Sequence, residues 1–358
     1  MTKNINFKAA VLTEQKKPLE LLTNVRVPIL EEGQILVKLA YSGVCHSQIM
    51  EIDGHRGEDK FLPHLLGHEG SGLVVDVGLN VSKIKKDDTV ILTWIKGDGL
   101  EAGGVKYQSN ERVINAGGVT TFNEYAVVSE NRCVNIPKGI PMDIAALFGC
   151  AVLTGSGIIT NNIKPKEGTD IAFFGLGGIG MSAIAASNLY SFKNVFAVDI
   201  NKDRLDLAKE FGATHLIDPN QYDPVEFIKD NTNSLGVDYA VDAAGLTKTI
   251  EQAFESVKNN GGLAVFASHP KHGEKISIDP FDLISGKKIQ GSWGGGAYPD
   301  QDIPRFAELY RSGKLPLQKM ITTIYKLEDI NQAIDDLKSG KVIRPIIEID
   351  KKIKNAIS

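Results

Sequence analysis

The stretch FFGLGGIGMSAIAA, residues 173–186, decides the fold. An apolar run enters a G-x-G-x-x-G turn and leaves into a second apolar run, a pattern typical of a strand, a tight turn and a helix. Such glycines permit the sharp turn, the approach of a pyrophosphate to the backbone and the close packing of helix on strand, and the N–H groups of the helix start face the phosphates. The dinucleotide-binding residues predicted here are Gly175, Gly177, Gly178, Ile179 and Gly180.

Glycine-rich turns without a ligand are common, so the sequence that follows must decide between a dinucleotide-binding loop and a turn without function. About 20 residues on, the segment 194–199, NVFAVD, predicts a second strand that ends in an acid, the position of the carboxylate that binds the adenosine ribose of NAD. A carboxylate there would also repel the extra phosphate of NADP. The alternative for Asp199 is a helix N-cap or turn aspartate, and the strand and spacing favour NAD binding.

Strands and helices alternate from about residue 151 with a period near 25 residues, which indicates βαβ units and a parallel sheet. Further strands are predicted at 214–217, 237–242, 263–267 and 289–293, and helices near 204–211, 224–232 and 247–257. Residues 1 to about 150 instead show short strands separated by turns, for example 34–41 and 72–78, which predicts a β-rich, barrel-like unit.

A chain of 358 residues exceeds the size at which one core normally keeps growing, so we expect two domains. Gly294–Gly296 marks a boundary, followed by amphipathic helices at 302–309 and 330–337 and a strand at 342–349. We predict a first domain of residues 1–150 completed by 294–358, and a second of residues 151–293.

Composition excludes several classes of function. The chain is 42% hydrophobic and 23% charged with a net charge of −4, which offers no electrostatic footprint for nucleic acid. No charged residue occurs from Ile171 to Phe192, but the glycines there favour a buried strand, turn and helix over a membrane span. The first eight residues lack the apolar core of a signal peptide, and only three cysteines occur, so we expect a cytoplasmic protein.

Cys45, His68 and Cys150 each lie in a local setting that suits a zinc ligand: GVCHS, GHEG and FGC. Two thiolates and one imidazole fill three tetrahedral positions on Zn²⁺ and leave the fourth for water or substrate, as in catalytic sites. The remaining cysteine, Cys133, is interpreted as a small packed side chain.

With these segments in view, the chain resembles the zinc-dependent medium-chain alcohol dehydrogenases nearly end to end. The matching segments are 43–47, 67–70, 148–155, 175–180, 198–202 and 339–344. The resemblance implies an α/β fold, with a GroES-like β-rich catalytic domain and a Rossmann coenzyme domain with a doubly wound parallel sheet. It also implies one catalytic Zn²⁺ per chain, held by Cys45, His68 and Cys150, and NAD as the coenzyme.

The resemblance implies further site residues. Glu69 would be a carboxylate close to the metal, rather than a plain surface acid. Ser47 would take the proton from the substrate hydroxyl, whose pKa zinc lowers. Trp94 would line the alcohol pocket, with a core tryptophan as the alternative. Residues that fall at coenzyme-contacting positions are His46, Thr154, Lys202 and Arg344, although His46 and Arg344 also fit ordinary surface roles.

Two departures from the family pattern stand out. Met50 occupies the position of a proton-relay histidine in the best-known members. His55 could replace it if its loop folds inward, or ribose and water could complete the route; an exposed loop histidine is the alternative for His55. No cysteine occurs between Cys45 and Cys133, so the structural zinc of many relatives is missing and we predict one zinc per chain. The corresponding stretch, 96–118, is polar with six glycines, and we predict a mobile lobe without a packed core.

The sequence thus predicts an NAD-linked oxidoreductase that interconverts a primary or secondary alcohol, polyols and sugar derivatives included, with its aldehyde or ketone. The alternatives are a zinc-free enone or quinone reductase of the same superfamily and a non-catalytic NAD-binding protein. By resemblance we also expect a homodimer or homotetramer formed through the edge strand near 289–293, a small-molecule partner, and neither nucleic acid nor membrane as a partner.

Overall fold

The computed structural model describes residues 5–354. The strands are β1 (Asn6–Leu12), β2 (Glu20–Arg26), β3 (Gln34–Gly43), β4 (His64–Leu65), β5 (Glu69–Val77), β6 (Thr89–Thr93), β7 (Val105–Ser109), β8 (Arg112–Ala116), β9 (Tyr125–Ser129), β10 (Cys133–Asn135), β11 (Asp170–Phe174), β12 (Asn194–Val198), β13 (His215–Ile217), β14 (Tyr239–Asp242), β15 (Leu263–Phe266), β16 (Lys288–Gly291), β17 (Ile321–Lys326) and β18 (Arg344–Glu348).

The helices are α1 (His46–Ile52), α2 (Met142–Leu147), α3 (Ala151–Gly157), α4 (Gly178–Ser187), α5 (Lys202–Glu210), α6 (Pro224–Asp230), α7 (Thr247–Ser256), α8 (Pro280–Ile284), α9 (Pro299–Arg311) and α10 (Ile330–Lys338). Short 3₁₀ turns lie at Glu130–Arg132, Gly294–Gly296, Leu317–Met320 and Leu327–Asp329, and a π-helical turn, Ile158–Ile163, extends α3. No helix within residues 5–354 is both long and apolar enough to cross a bilayer.

The chain forms two compact units. The first contains residues 5–150, Tyr298–Arg311 and residues 321–354; the second contains Ala151–Ala297 and Ser312–Met320. In the first unit, β1, β2, β7, β8 and β4 close a barrel, and a second sheet runs β10-β6-β5-β3-β18-β17, with β9 paired to β3. Apolar side chains of these strands are buried in two shared hydrophobic cores, and the hydrophobic effect stabilises this packing.

The stretch 96–118 does not match our prediction of a lobe without a packed core. It contains the antiparallel pair β7 and β8, and Val105, Tyr107, Ile114 and Ala116 are buried in the barrel core. The glycines of the stretch are confined to its ends, at 97–104 and 117–118, so they do not interrupt the alternation of the two strands.

The loop before β7 is fixed by the carboxylate of Glu130, which is buried. Its Oε1 accepts the N–H groups of Ser82 and Lys83, both at 2.6 Å, and its Oε2 accepts that of Leu100 at 2.8 Å. The N–H of Asn131 donates to the Leu100 carbonyl at 3.2 Å. Backbone groups that would otherwise lack partners are therefore satisfied by one acid.

In the second unit a six-stranded parallel sheet has the order β13-β12-β11-β14-β15-β16. This order reverses direction between β11 and β14, which makes their carboxyl ends the expected ligand-binding edge. β11 and α4 are almost entirely buried, as the uncharged sequence predicts. The parallel sheet and the helices α5, α6 and α7 confirm the sequence predictions, with ends shifted by at most two residues.

Candidate functional site

Strand register in the first unit brings the predicted metal ligands to one end of a sheet. β3 and β5 pair antiparallel with Ser42 opposite Gly70, so the end of β3 lies beside the start of β5. Cys45 follows β3 and His68 precedes β5. Ligand segments far apart in the chain therefore meet because of hydrogen-bond register.

Glycines make room beside these ligands. Gly67 has φ +88°, and a Cβ there would lie 2.3 Å from Thr121 Oγ1. A Cβ on Gly43 would lie 1.9 Å from Glu69 Oε1, and one on Gly149 would lie 2.6 Å from Glu69 Cβ. The space that Glu69 occupies thus exists only because the residues facing it have no side chains.

The ligand atoms of Cys45, His68 and Cys150 lie within 4.8 Å of one another. His68 Nε2 is buried and has no hydrogen-bond partner within residues 5–354, which is costly unless another group binds it. Two sulfurs and one such nitrogen form a donor set that suits Zn²⁺ with one open position. The residues therefore fit the metal that the sequence predicts.

The charges around the two thiols favour the state that a metal requires. A hydrogen bond from Cys150 lowers the pKa of Cys45 well below its ordinary value, with help from the positive charge of Arg344. The same hydrogen bond and burial raise the pKa of Cys150. One thiolate is thus already favoured, and a bound cation would deprotonate the second.

Gln48 is a site residue that the sequence did not reveal. It is buried on the first turn of α1, its Oε1 accepts the N–H of Cys45 at 2.9 Å, and its Nε2 lies 2.5 Å from His68 Nδ1. One amide therefore connects two ligand segments and orients the imidazole so that Nε2 faces the thiols. A single glutamine three residues after a cysteine belongs to no recognised motif, so no signal in the sequence pointed to it.

Glu69 and Arg344 form a buried ion pair next to the cysteines, with exposed fractions of 0% and 3%. Pairing of β18 with β3, Ile346 opposite Gly43, brings Arg344 to this position. Burial raises the pKa of Glu69, although Arg344 opposes the shift. Burial also works against the charge on Arg344, but Glu69 and the thiols outweigh it and raise its pKa. The predicted contact of Arg344 with pyrophosphate stays a prediction.

Three other predicted residues lie in the same unit. Ser47 Oγ is 3.4 Å from His68 Nδ1, and Trp94 packs with a ring centroid 6.4 Å from that of His68. The Trp94 carbonyl accepts a hydrogen bond from Arg132. His46, at the start of α1, is exposed. An aromatic wall and a hydroxyl thus lie beside the imidazole.

The second unit contains the loop 175–180, which the sequence predicts to bind a dinucleotide, and its glycines meet three different demands. Gly175 has φ +86°, and a Cβ there would lie 2.6 Å from the Ala244 nitrogen. A Cβ on Gly180 would lie 2.0 Å from the Gly175 oxygen, whereas no described atom lies within 4 Å of one on Gly177. The loop therefore combines a forced turn, tight helix–strand packing and open space at the N-cap of α4.

Asp199, at the end of β12, is buried beside this loop. Its Oδ2 accepts the N–H of Leu176 at 2.7 Å and its Oδ1 that of Asn201 at 2.9 Å. Arg204 Nη1 lies 3.8 Å from Asp199 Oδ2, a neighbour that the sequence analysis missed because a lysine or arginine on a helix is usually a surface charge. Lys202 is exposed and pairs with Asp206 at 2.6 Å.

Thr154 is the last of the predicted residues and lies on α3. Its Oγ1 is buried without a hydrogen-bond partner in the described part of the chain. α3 packs closely on α4, since a Cβ on Gly155 would lie 2.2 Å from the Ile179 oxygen. An unpaired hydroxyl thus lies one residue from a contact with the dinucleotide loop.

A unit with a Cys₂His centre and a unit with a dinucleotide loop on a parallel sheet define a metal-dependent, dinucleotide-linked dehydrogenase. Residues 31–138 match the alcohol dehydrogenase GroES-like domain, and residues 178–312 match the zinc-binding dehydrogenase family. The chain belongs to the zinc-dependent medium-chain alcohol dehydrogenases. It is a zinc- and NAD-dependent oxidoreductase that interconverts an alcohol and its aldehyde or ketone.

Relatives cover almost the whole chain. An S-(hydroxymethyl)glutathione dehydrogenase of Photobacterium damsela subsp. piscicida is 33% identical, with 95% of this chain and 99% of the relative aligned. The benzyl alcohol dehydrogenase structure from Acinetobacter calcoaceticus is 28% identical with a TM-score of 0.88, covering 97% of this chain and all of that one. A 2R,3R-butanediol dehydrogenase from Bacillus subtilis is 25% identical with a TM-score of 0.77, covering 96% of this chain and all of that one.

Proposed function

We propose that Cys45, His68 and Cys150 hold the catalytic zinc and that the loop 175–180 with Asp199 binds NAD. The first unit would then be the catalytic domain and the second the coenzyme domain. The observation that carries the metal assignment is His68 Nε2, which is buried, has no partner within residues 5–354 and lies beside two thiols.

Zinc bound there would polarise the substrate oxygen and make its hydroxyl more acidic. The chain's own residues would do the rest. Ser47 takes the hydroxyl proton, Gln48 keeps the His68 ring in place, and the Arg344 pair holds the Glu69 carboxylate beside the metal. Trp94 forms an apolar wall that orients the substrate and excludes water.

The substrate class we propose is a primary alcohol. Two of the relatives above are named for primary alcohols, S-(hydroxymethyl)glutathione and benzyl alcohol, and they are more similar to this chain than the butanediol dehydrogenase is. An aromatic ring beside a metal ligand also suits a flat or apolar group on the carbinol carbon.

Initial rates of NADH formation would test both proposals over a panel of benzyl alcohol, ethanol, S-(hydroxymethyl)glutathione, 2,3-butanediol and sorbitol. Cys45→Ser should lose zinc and turnover together. The matched control is Cys133→Ser, which alters a buried thiol in the core and should keep both. Turnover confined to sorbitol or butanediol would contradict the primary-alcohol proposal, and full turnover of Cys45→Ser would contradict the metal assignment.

We further propose a homo-oligomer formed through the edge of the parallel sheet. β16 is the outermost strand, and Phe281, Ile284 and Trp293 near it are 67%, 79% and 80% exposed. An unpaired edge strand beside exposed apolar side chains favours pairing with a second copy. Sedimentation at micromolar concentration should show a dimer or tetramer, and Ile284→Asp should shift it toward monomer.

A cytoplasmic location is also part of the proposal, because all three cysteines are free thiols.

A further inference from the structure

A second group of metal-ligating side chains lies in the first unit, outside the site described above. Glu51, Asp59 and His64 each offer one ligand atom, and these atoms lie within 4.8 Å of one another. His64 is buried in β4, Glu51 is on the last turn of α1, and Asp59 is on the loop between them. None of the three takes part in the proposed reaction.

The distances suit a small divalent cation. Asp59 Oδ2 is 2.7 Å and Glu51 Oε1 is 3.8 Å from His64 Nε2. Tetrahedral zinc with ligands at about 2.0–2.2 Å requires ligand atoms about 3.4 Å apart. These two distances therefore need to change by about 0.7 Å and about 0.4 Å, and the side chains of Asp59 and Glu51 can supply that by rotation.

Two of the ligands are already oriented by groups outside the cluster. His64 Nδ1 is 3.0 Å from the Leu65 carbonyl oxygen, a contact that orients the ring so that Nε2 faces the carboxylates. Asp59 Oδ1 accepts the N–H of Phe61 at 2.9 Å, which leaves Oδ2 for the shared space. A backbone carbonyl on the far nitrogen of a histidine is the arrangement that fixes metal-ligating imidazoles.

The cluster has more acceptors than the imidazole can satisfy. Nε2 carries at most one proton, yet two carboxylates face it. Arg56 balances part of the charge, but its Nη1 is 3.6 Å from Glu51 Oε2 and its side chain is 41% exposed, so solvent weakens that pair. A divalent cation in place of the single proton would bind both carboxylates and the nitrogen together.

We propose that Glu51, Asp59 and His64 form a second, exchangeable binding site for a divalent transition-metal cation of the zinc type. One imidazole and two carboxylates suit Zn²⁺, Co²⁺ or Ni²⁺, whereas Mg²⁺ and Ca²⁺ prefer oxygen alone. With no thiolate among its ligands, the site binds more weakly than the Cys₂His centre, and its ion exchanges in dialysis.

The position of this site links it to the catalytic centre. Glu51 is on the helix that carries Ser47 and Gln48, and His64 is four residues before His68. A cation would therefore tie the end of α1 to β4 and restrain two segments that provide catalytic ligands. Excess metal would act on the enzyme through this contact.

The test is equilibrium dialysis of the full-length zinc-loaded enzyme against micromolar Zn²⁺, with metal analysis before and after. The wild type should gain one zinc per chain above its starting content, and its melting temperature should rise with added Zn²⁺. Asp59→Asn and Glu51→Gln should each lower the affinity for the additional zinc by about tenfold or more. The matched control, Glu58→Gln, removes an exposed acid from the same loop and should leave the gain unchanged.

The readout is an increment, so it does not depend on whether the Cys₂His centre is assigned correctly. No gain in the wild type would overturn the proposal, as would an equal gain in both Asp59→Asn and Glu51→Gln. An equal loss of affinity for the additional zinc in Glu58→Gln would also overturn the proposal, because it would indicate diffuse binding to the acidic loop. Circular dichroism of each variant checks that the fold is kept, and Glu51, which is partly exposed, serves if Asp59→Asn does not fold.

Discussion

The guanidinium of Arg344 and the carboxylate of Glu69 form an ion pair buried next to Cys45 and Cys150, although 275 residues separate them in the chain. Removing one partner leaves an uncompensated buried charge, which costs about 3–5 kcal/mol. Arg344→Leu should lower the free energy of urea unfolding by that amount, and adding Glu69→Gln should recover much of it. Arg311→Leu, which removes an exposed pair, should cost less than about 1 kcal/mol. Equal losses in the single and double variants would argue against the pair.

Gln48 should act on zinc affinity through His68. Gln48→Leu removes the group that orients the imidazole, and loss of such a partner typically weakens metal binding by about 10–100-fold. Competition with a chelator would measure the affinity. Gln48→Glu keeps an oxygen that can accept from Cys45 and should retain most of it. If Gln48→Leu binds zinc like the wild type while remaining folded, the amide does not position the ligand.

Glu130 should stabilise the first unit without a metal. Glu130→Gln leaves one acceptor oxygen for three backbone N–H groups, and an unsatisfied buried donor costs about 1–3 kcal/mol. Urea unfolding should show this loss. Glu111→Gln, in the exposed turn between β7 and β8, is the control and should be neutral. A neutral Glu130→Gln would mean that other contacts fix the loop.

His55 should not be a proton relay. It follows α1 on a loop, and its backbone N–H donates to the Met50 carbonyl at 2.8 Å. His55→Gln should leave the pH dependence of kcat unshifted, whereas Ser47→Ala should reduce turnover across the profile. A large loss of turnover above neutral pH in His55→Gln would show that the imidazole carries protons.

Asp242 should make stability fall as pH rises. Burial raises its pKa to about 6 from an ordinary 3.8, although Thr249 and two backbone N–H groups oppose the shift. The folded chain thus keeps a proton between these values that the unfolded chain loses, and stability decreases across that range by up to about 3 kcal/mol. In Asp242→Asn, the free energy of urea unfolding between pH 4 and 7 should lack this decrease. Asp230→Asn, which changes an exposed carboxyl group, should keep the decrease. An unchanged slope of unfolding free energy against pH in Asp242→Asn would show that Asp242 does not cause it.

The sequence predicted the parallel sheet and its glycine loop because both depend on local patterns: an uncharged apolar run and three glycines at fixed spacing. It also indicated the three zinc-ligand candidates, which lie in short recognisable segments. The error at 96–118 came from weighing glycine content above the alternation in 105–116. Gln48 and the pairing of Arg344 with Glu69 depend on register between distant strands, which no local pattern encodes.

The anchoring of the loop before β7 by Glu130 has a consequence for the cell. Amide-to-carboxylate hydrogen bonds need no metal supply and are insensitive to oxidants, unlike a four-cysteine cluster. Under zinc starvation this enzyme should lose turnover while its architecture persists. Folded chains without zinc would then accumulate, and they would regain activity on binding zinc without new protein synthesis.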